Sequence, residues 1–276
     1  MNSILFPTDF SENADNALNY ALRLANDFNA TLHILHALQM PYSGSVPMTK
    51  KLQKALKDGA IADLKNYELK IKQNPENEGI KIVSKAVSGN VINAVDNYAN
   101  DCHVDLVVMG TKGASGVKEV LIGSNAEEVV RHSDKPLLIV PEGAQEFSIK
   151  KVAVAADFKT IDNGTLFNEL VSLCKKYEAA AMVVNIEKDE DSIYSARKTI
   201  EALRYDQVFS EIKHDFHFEV NTNVVKGINQ FIEDHQCDLL SVVSRKHSFF
   251  DKIFHKSITN KLTCHTEIPI FVIKEN

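Results

Sequence analysis

The sequence predicts an α/β protein made of two tandem, open, doubly wound domains. Each would have a five-stranded parallel sheet with helices on both faces. Three observations support this fold class: short apolar segments alternate with segments of helical spacing along all 276 residues, several apolar segments are continuously hydrophobic, and the second half repeats the first. Continuous apolar strands that alternate with helices are typical of a parallel sheet covered on both faces.

The first half alternates strand and helix from its start. Ser11 begins a predicted helix with apolar residues at helical spacing, and Ser124 begins another. The predicted strands are 3–6, 31–37, 80–86, 104–109 and 137–140, and the helices between them start near 11, 48, 91 and 124. Five strands and four helices in this order are sufficient for one doubly wound domain.

The second half repeats the pattern. Without gaps, residues 90–140 align with 223–273, and nine positions are identical: Asn90/Asn223, Val91/Val224, Asp101/Asp234, Asp105/Asp238, Leu106/Leu239, Ser115/Ser248, Ser124/Ser257, His132/His265 and Pro136/Pro269. Strands are predicted near 151–156, 180–186, 216–221, 238–243 and 270–273. The sequence therefore predicts two domains, 1–144 and 145–276, joined by a short polar linker.

Composition excludes several classes of function. The net charge of −6 divides into −3 on each half, so neither half has the positive excess of a nucleic-acid-binding protein. The sequence contains no signal-peptide pattern and no apolar run near 18 residues, which argues against a membrane protein. The four cysteines form no C-x-x-C pair and the ten histidines suggest no metal site, so we expect a reduced, cytoplasmic protein.

The most informative pattern follows the strand at 104–109. It is Gly110-x2-Gly113-x9-Gly123-Ser124, after which a helix begins. Glycine lets the backbone approach an anion closely, and the N–H groups of a helix N-terminus favour phosphate. In a sheet of order 3-2-1-4-5, ligands bind where the order reverses, between strands one and four. Pro7-Thr8-Asp9 would then face Met109-Gly110, which suits a nucleotide with its ribose on Asp9.

These residues resemble motifs of the universal stress protein family, specifically of tandem members with two such domains. The resemblance rests on 4–11, on the glycine motif and on 132–141, and it covers both halves. It implies the flavodoxin-like, adenine-nucleotide α-hydrolase-like strand order, binding of ATP with or without Mg²⁺, and pairing of the two domains through the flanks at 136–141 and 269–274. A homodimer would be compatible with this. The implied site residues are Pro7, Thr8, Asp9, Ala37, Met109, Gly110, Gly113, Gly123, Ser124 and Asn125.

The second half departs from the motif at its glycines. Val243, Lys246 and Lys256 align with Gly110, Gly113 and Gly123, and Ala155-Ala156 replaces Pro7-Thr8. Side chains at these positions would obstruct an approach of the backbone to phosphate. We therefore expect a regulatory, stress-response protein that binds ATP in its first domain and not in the same way in its second.

Several features have a plain structural explanation as well. Ser124 and Glu127 form a capping-box pattern, and Asp9 suits a turn before a helix. Lys112 fits a phosphate contact and an ordinary solvated loop equally well, whereas Gly116 fits loop flexibility better than direct contact. The basic, phenylalanine-containing stretch 245–261 either fills the altered cleft or binds another anionic ligand or a partner.

Two other functions remain open from the sequence. One is a slow ATPase or autophosphorylating enzyme that uses Asp9 or Ser124. It is disfavoured because no second acidic residue falls in the motif to hold magnesium. The other is a scaffold that binds no nucleotide.

Overall fold

The computed structural model describes residues 1–39, 49–111, 124–158, 165–189, 196–244 and 267–275. The chain divides into two compact units, Met1–Lys135 and Pro136–Asn276. The sequence repeat places the boundary at 144/145 instead. The difference arises because the strand at 137–140 is hydrogen-bonded to the last strand of the chain.

The first unit is a parallel sheet with the strand order that the sequence predicts. Its described elements are β1 (Ser3–Pro7), α1 (Glu12–Phe28), β2 (Thr31–Leu38), α2 (Lys50–Lys72), β3 (Ile82–Ser88), α3 (Val91–Asp101), β4 (Leu106–Gly110) and α4 (Ser124–His132). The strands lie in the order β3-β2-β1-β4, and each neighbouring pair is parallel.

The second unit contains the complete repeat. Its described elements are β5 (Leu137–Val140), β6 (Lys151–Ala155), α5 (Asn168–Tyr177), β7 (Ala180–Glu187), α6 (Ala196–Phe209), β8 (His214–Val220), α7 (Val224–His235), β9 (Leu239–Ser244) and β10 (Ile270–Lys274). The parallel order β8-β7-β6-β9-β10 is the predicted 3-2-1-4-5 arrangement. At its end β5 joins antiparallel to β10, with Ile139 beside Ile270. The α/β fold class is thus confirmed.

Helices cover both faces of each sheet. Successive strand residues point to opposite sides, so residues of one strand contact helices on different faces. On β2, His33 reaches Tyr98 of α3, whereas the ring of His36 lies against Phe10, which in turn contacts Tyr67 of α2. On β8, His214 lies near Phe209 of α6, and His217 lies near Phe231 of α7. The central strands are accordingly buried, as with Ile4, Leu106 and Leu239 at 0% exposure.

The third strand begins later than the sequence predicts. The apolar run predicts a strand at 80–86, but β3 spans Ile82–Ser88. Ile80 is buried, yet its N–H donates to the carbonyl of Asn77 (3.1 Å), so it belongs to the turn after a short 3₁₀ helix at Pro75–Asn77. Gly89, at φ +137°, ends the strand in a conformation that suits glycine.

Within the described ranges, none of the helices combines the length and the apolar character needed to cross a bilayer.

Candidate functional site

The carboxyl ends of β1 and β4 meet at one edge of the first sheet. The two strands are parallel neighbours, with Ile4 beside Leu106 and Leu5 beside Val107. Continuing this register brings Pro7 level with Met109 and Thr8 level with Gly110. Four of the residues that the sequence singles out therefore lie at the edge where the strand order reverses, and Asp9 follows directly after Thr8. This edge is the usual ligand crevice of such sheets.

The segment after β1 is a tightly bonded turn. Thr8 is buried, and its N–H donates to the carbonyl of Leu35 at 2.9 Å. Its Oγ1 accepts from the N–H of Phe10 at 3.0 Å. Asp9 is exposed, and its Oδ1 accepts from both the N–H (3.1 Å) and the hydroxyl (2.6 Å) of Ser11. Asp9 thus stabilises the turn before α1, as the sequence suggests, and it does so through Oδ1.

Ser11 connects this turn to the first helix. It is the N-cap of α1, and its hydroxyl accepts from the N–H of Ala14 at 3.3 Å. A serine in this position satisfies one of the N–H groups that have no partner within the helix. The position of Asp9 is therefore tied to the start of α1.

Phe10 adopts an unusual backbone conformation. Its φ is +62°, a region that bulky side chains rarely occupy. Its ring lies between two others, 4.6 Å from the ring of His36 and 5.4 Å from that of Tyr67. These contacts offset the backbone cost and fix the direction of the chain immediately after Asp9.

Polar groups behind the turn are paired with one another. His36 Nδ1 lies 2.9 Å from the carbonyl oxygen of Thr8. The Tyr67 hydroxyl donates to Oδ1 of Asp15. Burial, together with that bond and the charge of Asp15, raises the pKa of the Tyr67 phenol above its usual value of 10.0. Tyr67 is therefore a proton donor throughout the physiological range.

Ala37 lies near the carboxyl end of β2 and is half-buried. The neighbouring His36 faces the side of the sheet covered by α2. Ala37 therefore faces the opposite side, which α3 covers. In the second unit, the N–H of Ala156 donates to the carbonyl of Val184 at 2.9 Å, just as Thr8 donates to Leu35. This correspondence places Asn185 at the position of His36, and Ile186 at that of Ala37.

Ile186 fills space at its end of β7. It is 8% exposed, and a Cβ built on Gly227 of α7 would lie 2.7 Å from its Cγ2. The first unit has the much smaller Ala37 at the matching position. At this position the second unit thus carries a branched side chain against Gly227, where the first carries a single methyl group.

The phosphate side of the predicted site is described in part. Ser124 and Asn125 begin α4, and Asn125 is exposed. Glu127 pairs with Arg131 at 2.9 Å. Gly113 and Gly123, with Lys112 and Gly116, fall in 112–123, outside the described residues, as does the side chain of Ser124. The basic stretch 245–261 also lies outside them.

The second unit forms a similar turn with different chemistry. Ala156 replaces Thr8 and so offers no hydroxyl, and Phe158 repeats the positive φ of Phe10 at +44°. The Phe158 ring contacts Tyr205 at 5.3 Å and stacks on Phe218 at 5.5 Å. Backbone geometry is thus shared between the units, whereas the hydroxyl of Thr8 is not.

Two contributors were not identified from the sequence, His36 and Phe10. His36 does not form a metal site with His33, because the two lie three residues apart on one strand and so point to opposite faces. The described residues contain no group of three or more His, Cys, Asp or Glu side chains suited to a metal. A usable signal was the presence of hydrogen-bond donors, His36 and Asn185, at the same position of both repeats.

Comparisons with known proteins agree on one family. The model of the Universal stress protein family matches residues 1–141. Universal stress protein MJ0531 of Methanocaldococcus jannaschii is 30% identical over 149 residues, which covers 52% of this chain and 84% of that protein. Universal stress protein MJ0577 of the same organism is 29% identical over 150 residues, 50% of this chain and 93% of that protein. A crystal structure of a universal stress protein from Archaeoglobus fulgidus is similar in fold over 100% of this chain and 99% of its own, with a TM-score of 0.74 at 20% identity.

Proposed function

Because the chain belongs to the universal stress protein family, we propose that it is an ATP-binding regulatory protein of the stress response. In this proposal the nucleotide lies in the first unit only, between the carboxyl ends of β1 and β4. The two sequence repeats, 1–144 and 145–276, then have different roles: the first binds the nucleotide, and the second has lost that capacity.

The observation that carries the proposal is the parallel pairing of β1 with β4 at the reversal of the strand order, which supports placing Thr8-Asp9 and Met109-Gly110 at one sheet edge. An exposed carboxylate accepts hydrogen bonds from ribose hydroxyls. Gly110 opens the glycine motif that leads to the N-terminus of α4, where backbone N–H groups favour phosphate. Sugar and phosphate recognition are thus supported from two neighbouring strands.

The contrast between Ala37 and Ile186 supports the assignment to one unit. In this proposal the adenine ring, which is flat and needs an apolar surface, lies beside Ala37 at the end of β2. The larger Ile186 stands at the matching position of the second unit and lies against Gly227. The lysines at the aligned glycine positions, Lys246 and Lys256, add side chains where phosphate would need bare backbone.

The proposal includes a cytoplasmic location and slow turnover. Cys102, Cys174 and Cys237 are free thiols, which suits a reducing compartment. Burial raises the pKa of the Cys174 thiol to about 12, so this cysteine is an unreactive core residue. We expect the protein to retain ATP rather than release ADP at many turnovers per minute, and adding Mg²⁺ or EDTA shows whether the metal enters with the nucleotide.

A matched pair of substitutions tests the site. Asp9→Asn keeps an oxygen for the bonds from Ser11 but replaces the second acceptor with a donor. Losing a hydrogen bond to a charged acceptor should weaken ATP binding by about tenfold to a hundredfold, as measured by calorimetric titration of the intact protein. Asp157→Asn makes the same change in the second unit and should leave the affinity unaltered. Equal losses for both variants, or none for Asp9→Asn, would contradict the proposal.

A further inference from the structure

We infer that His36 is a positioning residue for the nucleotide: its imidazole fixes the backbone carbonyl of Thr8 and thereby the direction of the Asp9 carboxylate. The inference rests on the proposed function, since the purpose of the arrangement is to present Asp9 to the ribose. His36 itself faces the side of the sheet away from Ala37 and so acts through the turn.

The first step is the hydrogen bond itself. His36 Nδ1 lies 2.9 Å from the Thr8 carbonyl oxygen. A carbonyl only accepts, so Nδ1 carries the proton. The other polar groups of Thr8 are also engaged, its N–H by Leu35 and its Oγ1 by Phe10. Thr8 is therefore fixed at three points, and Asp9 is attached to its carbonyl carbon.

The second step is the conformation that follows Asp9. Phe10 lies at φ +62°, which is costly for an aromatic residue and persists only where the surroundings impose it. The Thr8 carbonyl belongs to the peptide that leads into this turn. If it lost its donor, that peptide would be free to rotate, and the Asp9 side chain would change direction with it.

The third step comes from the second unit. Asn185 occupies the position of His36, and its Nδ2 donates to the carbonyl of Ala156 at 2.9 Å. The residue after the following aspartate, Phe158, again has a positive φ. Two chemically different side chains thus satisfy the same carbonyl before the same kind of turn. The shared requirement is a donor at this position rather than an imidazole ring.

The experiment separates the donor from the ring. His36→Asn keeps a donor of the kind that Asn185 supplies, and His36→Phe keeps a ring against Phe10 without a donor. In the intact chain we expect His36→Phe to bind ATP about tenfold more weakly, and His36→Asn to bind within about twofold of wild type. Asn185→Leu removes the matching bond from the second unit and should leave ATP affinity unchanged.

A second readout excludes a general loss of stability. If His36 acts through Asp9, the ratio of ATP affinity to 2′-deoxy-ATP affinity should fall toward one in His36→Phe and stay at the wild-type value in His36→Asn. A merely loosened fold would weaken both nucleotides equally and leave the ratio unchanged. That result, or wild-type affinity in His36→Phe, would overturn the inference, and so would an equal loss in both His36 variants.

The same variants distinguish failure of the inference from failure of the proposed function. If the wild-type protein binds no ATP, the proposed function is wrong. The turn is then judged without nucleotide, from the NMR coupling constant between the amide and α protons of Phe10, which reports its φ and does not depend on neighbouring rings. His36→Phe should change this coupling, and His36→Asn should keep it near the wild-type value. An unchanged coupling in His36→Phe would overturn the positioning role.

Discussion

Asp105 and Asp238 perform the same task in the two units. Each carboxylate accepts from backbone N–H groups at the start of the first strand of its repeat, Asp105 from Ser3 (3.1 Å) and Asp238 from Lys151 (3.0 Å). Asn90 and Asn223 are likewise the N-caps of α3 and α7. These identities between the halves are explained by local backbone bonding. These four side chains maintain the fold and give no information about the ligand. The proposed nucleotide site therefore depends on other residues.

Two histidines should respond to pH with opposite signs. Burial lowers the pKa of His33 below 6.5, and the nearby charge of Lys81 lowers it further. For His214, burial acts in the same direction, but hydrogen bonds to the carbonyl of Ile212 and to Asp206 outweigh it and raise the pKa above 6.5. His33 therefore costs stability as the pH falls below 6.5, because the unfolded chain binds the proton more tightly. His214 contributes stability below 6.5 that is lost as the pH rises through its folded pKa.

Substitution of each histidine by glutamine tests these signs. His33→Gln should flatten the fall in stability on acidification, and His214→Gln should remove a stabilising contribution that wild type has at mildly acidic pH. Urea unfolding across pH 5 to 8 gives the differences, and NMR titration gives each pKa directly. The assignment would fail if His33 titrated above His214.

At the scale of single elements, hydrophobic pattern predicted nearly every strand and helix that the structure describes. Helix α4 spans the predicted 124–132 and β5 the predicted 137–140. The ends of strands were predicted less accurately where burial and backbone hydrogen bonding disagree. Ile80, for example, is buried, but its N–H is bonded within a turn. Apolar spacing reports which side chains are covered, whereas a strand is defined by where its N–H and C=O groups bond.

Two helical glycines should respond to alanine in opposite ways. A Cβ on Gly59 of α2 would meet no atom within 4 Å, so Gly59→Ala should stabilise the protein by about 0.5–1 kcal/mol through helix propensity. A Cβ on Gly227 of α7 would lie 2.7 Å from Ile186 Cγ2 and 3.0 Å from Asn221 Cβ. Gly227→Ala should therefore cost about 1–3 kcal/mol of overpacking.

A double-mutant cycle identifies the cause of the Gly227 effect. In an Ile186→Ala background the contacts with Ile186 Cγ2 (2.7 Å) and Cδ1 (3.2 Å) are gone, so Gly227→Ala should cost less than it does in wild type. Unfolding free energies of the four proteins supply the coupling energy. An equal cost in the two backgrounds would show that Ile186 is not the side chain that a Cβ on Gly227 meets. It would also weaken the argument that Ile186 hinders nucleotide binding in the second unit.

At the scale of the whole molecule, the sequence predicted the sheet edge of the site but not how its turn is held. The edge followed from alternating strands and helices, because strand order alone brings the ends of β1 and β4 together. The role of His36 depends on a contact between β2 and the turn, residues 28 positions apart along the chain. No periodicity encodes such a bond. A repeat comparison reveals it only when the two side chains are recognised as equivalent donors.

The division of the chain can be tested with fragments. Residues 137–140 form β5, are at most 1% exposed, and pair with β10. A fragment of 136–276 keeps this pair, whereas 145–276 leaves β10 as an uncovered apolar edge. We expect 136–276 to unfold at a clearly higher urea concentration than 145–276, because β5 buries the apolar side chains at the edge of β10. As a control of equal length, 136–276 with Ile139→Pro should lose this advantage, because proline disrupts the pairing opposite Ile270. Equal midpoints for the two unsubstituted fragments would instead favour the boundary at 144/145 that the repeat predicts.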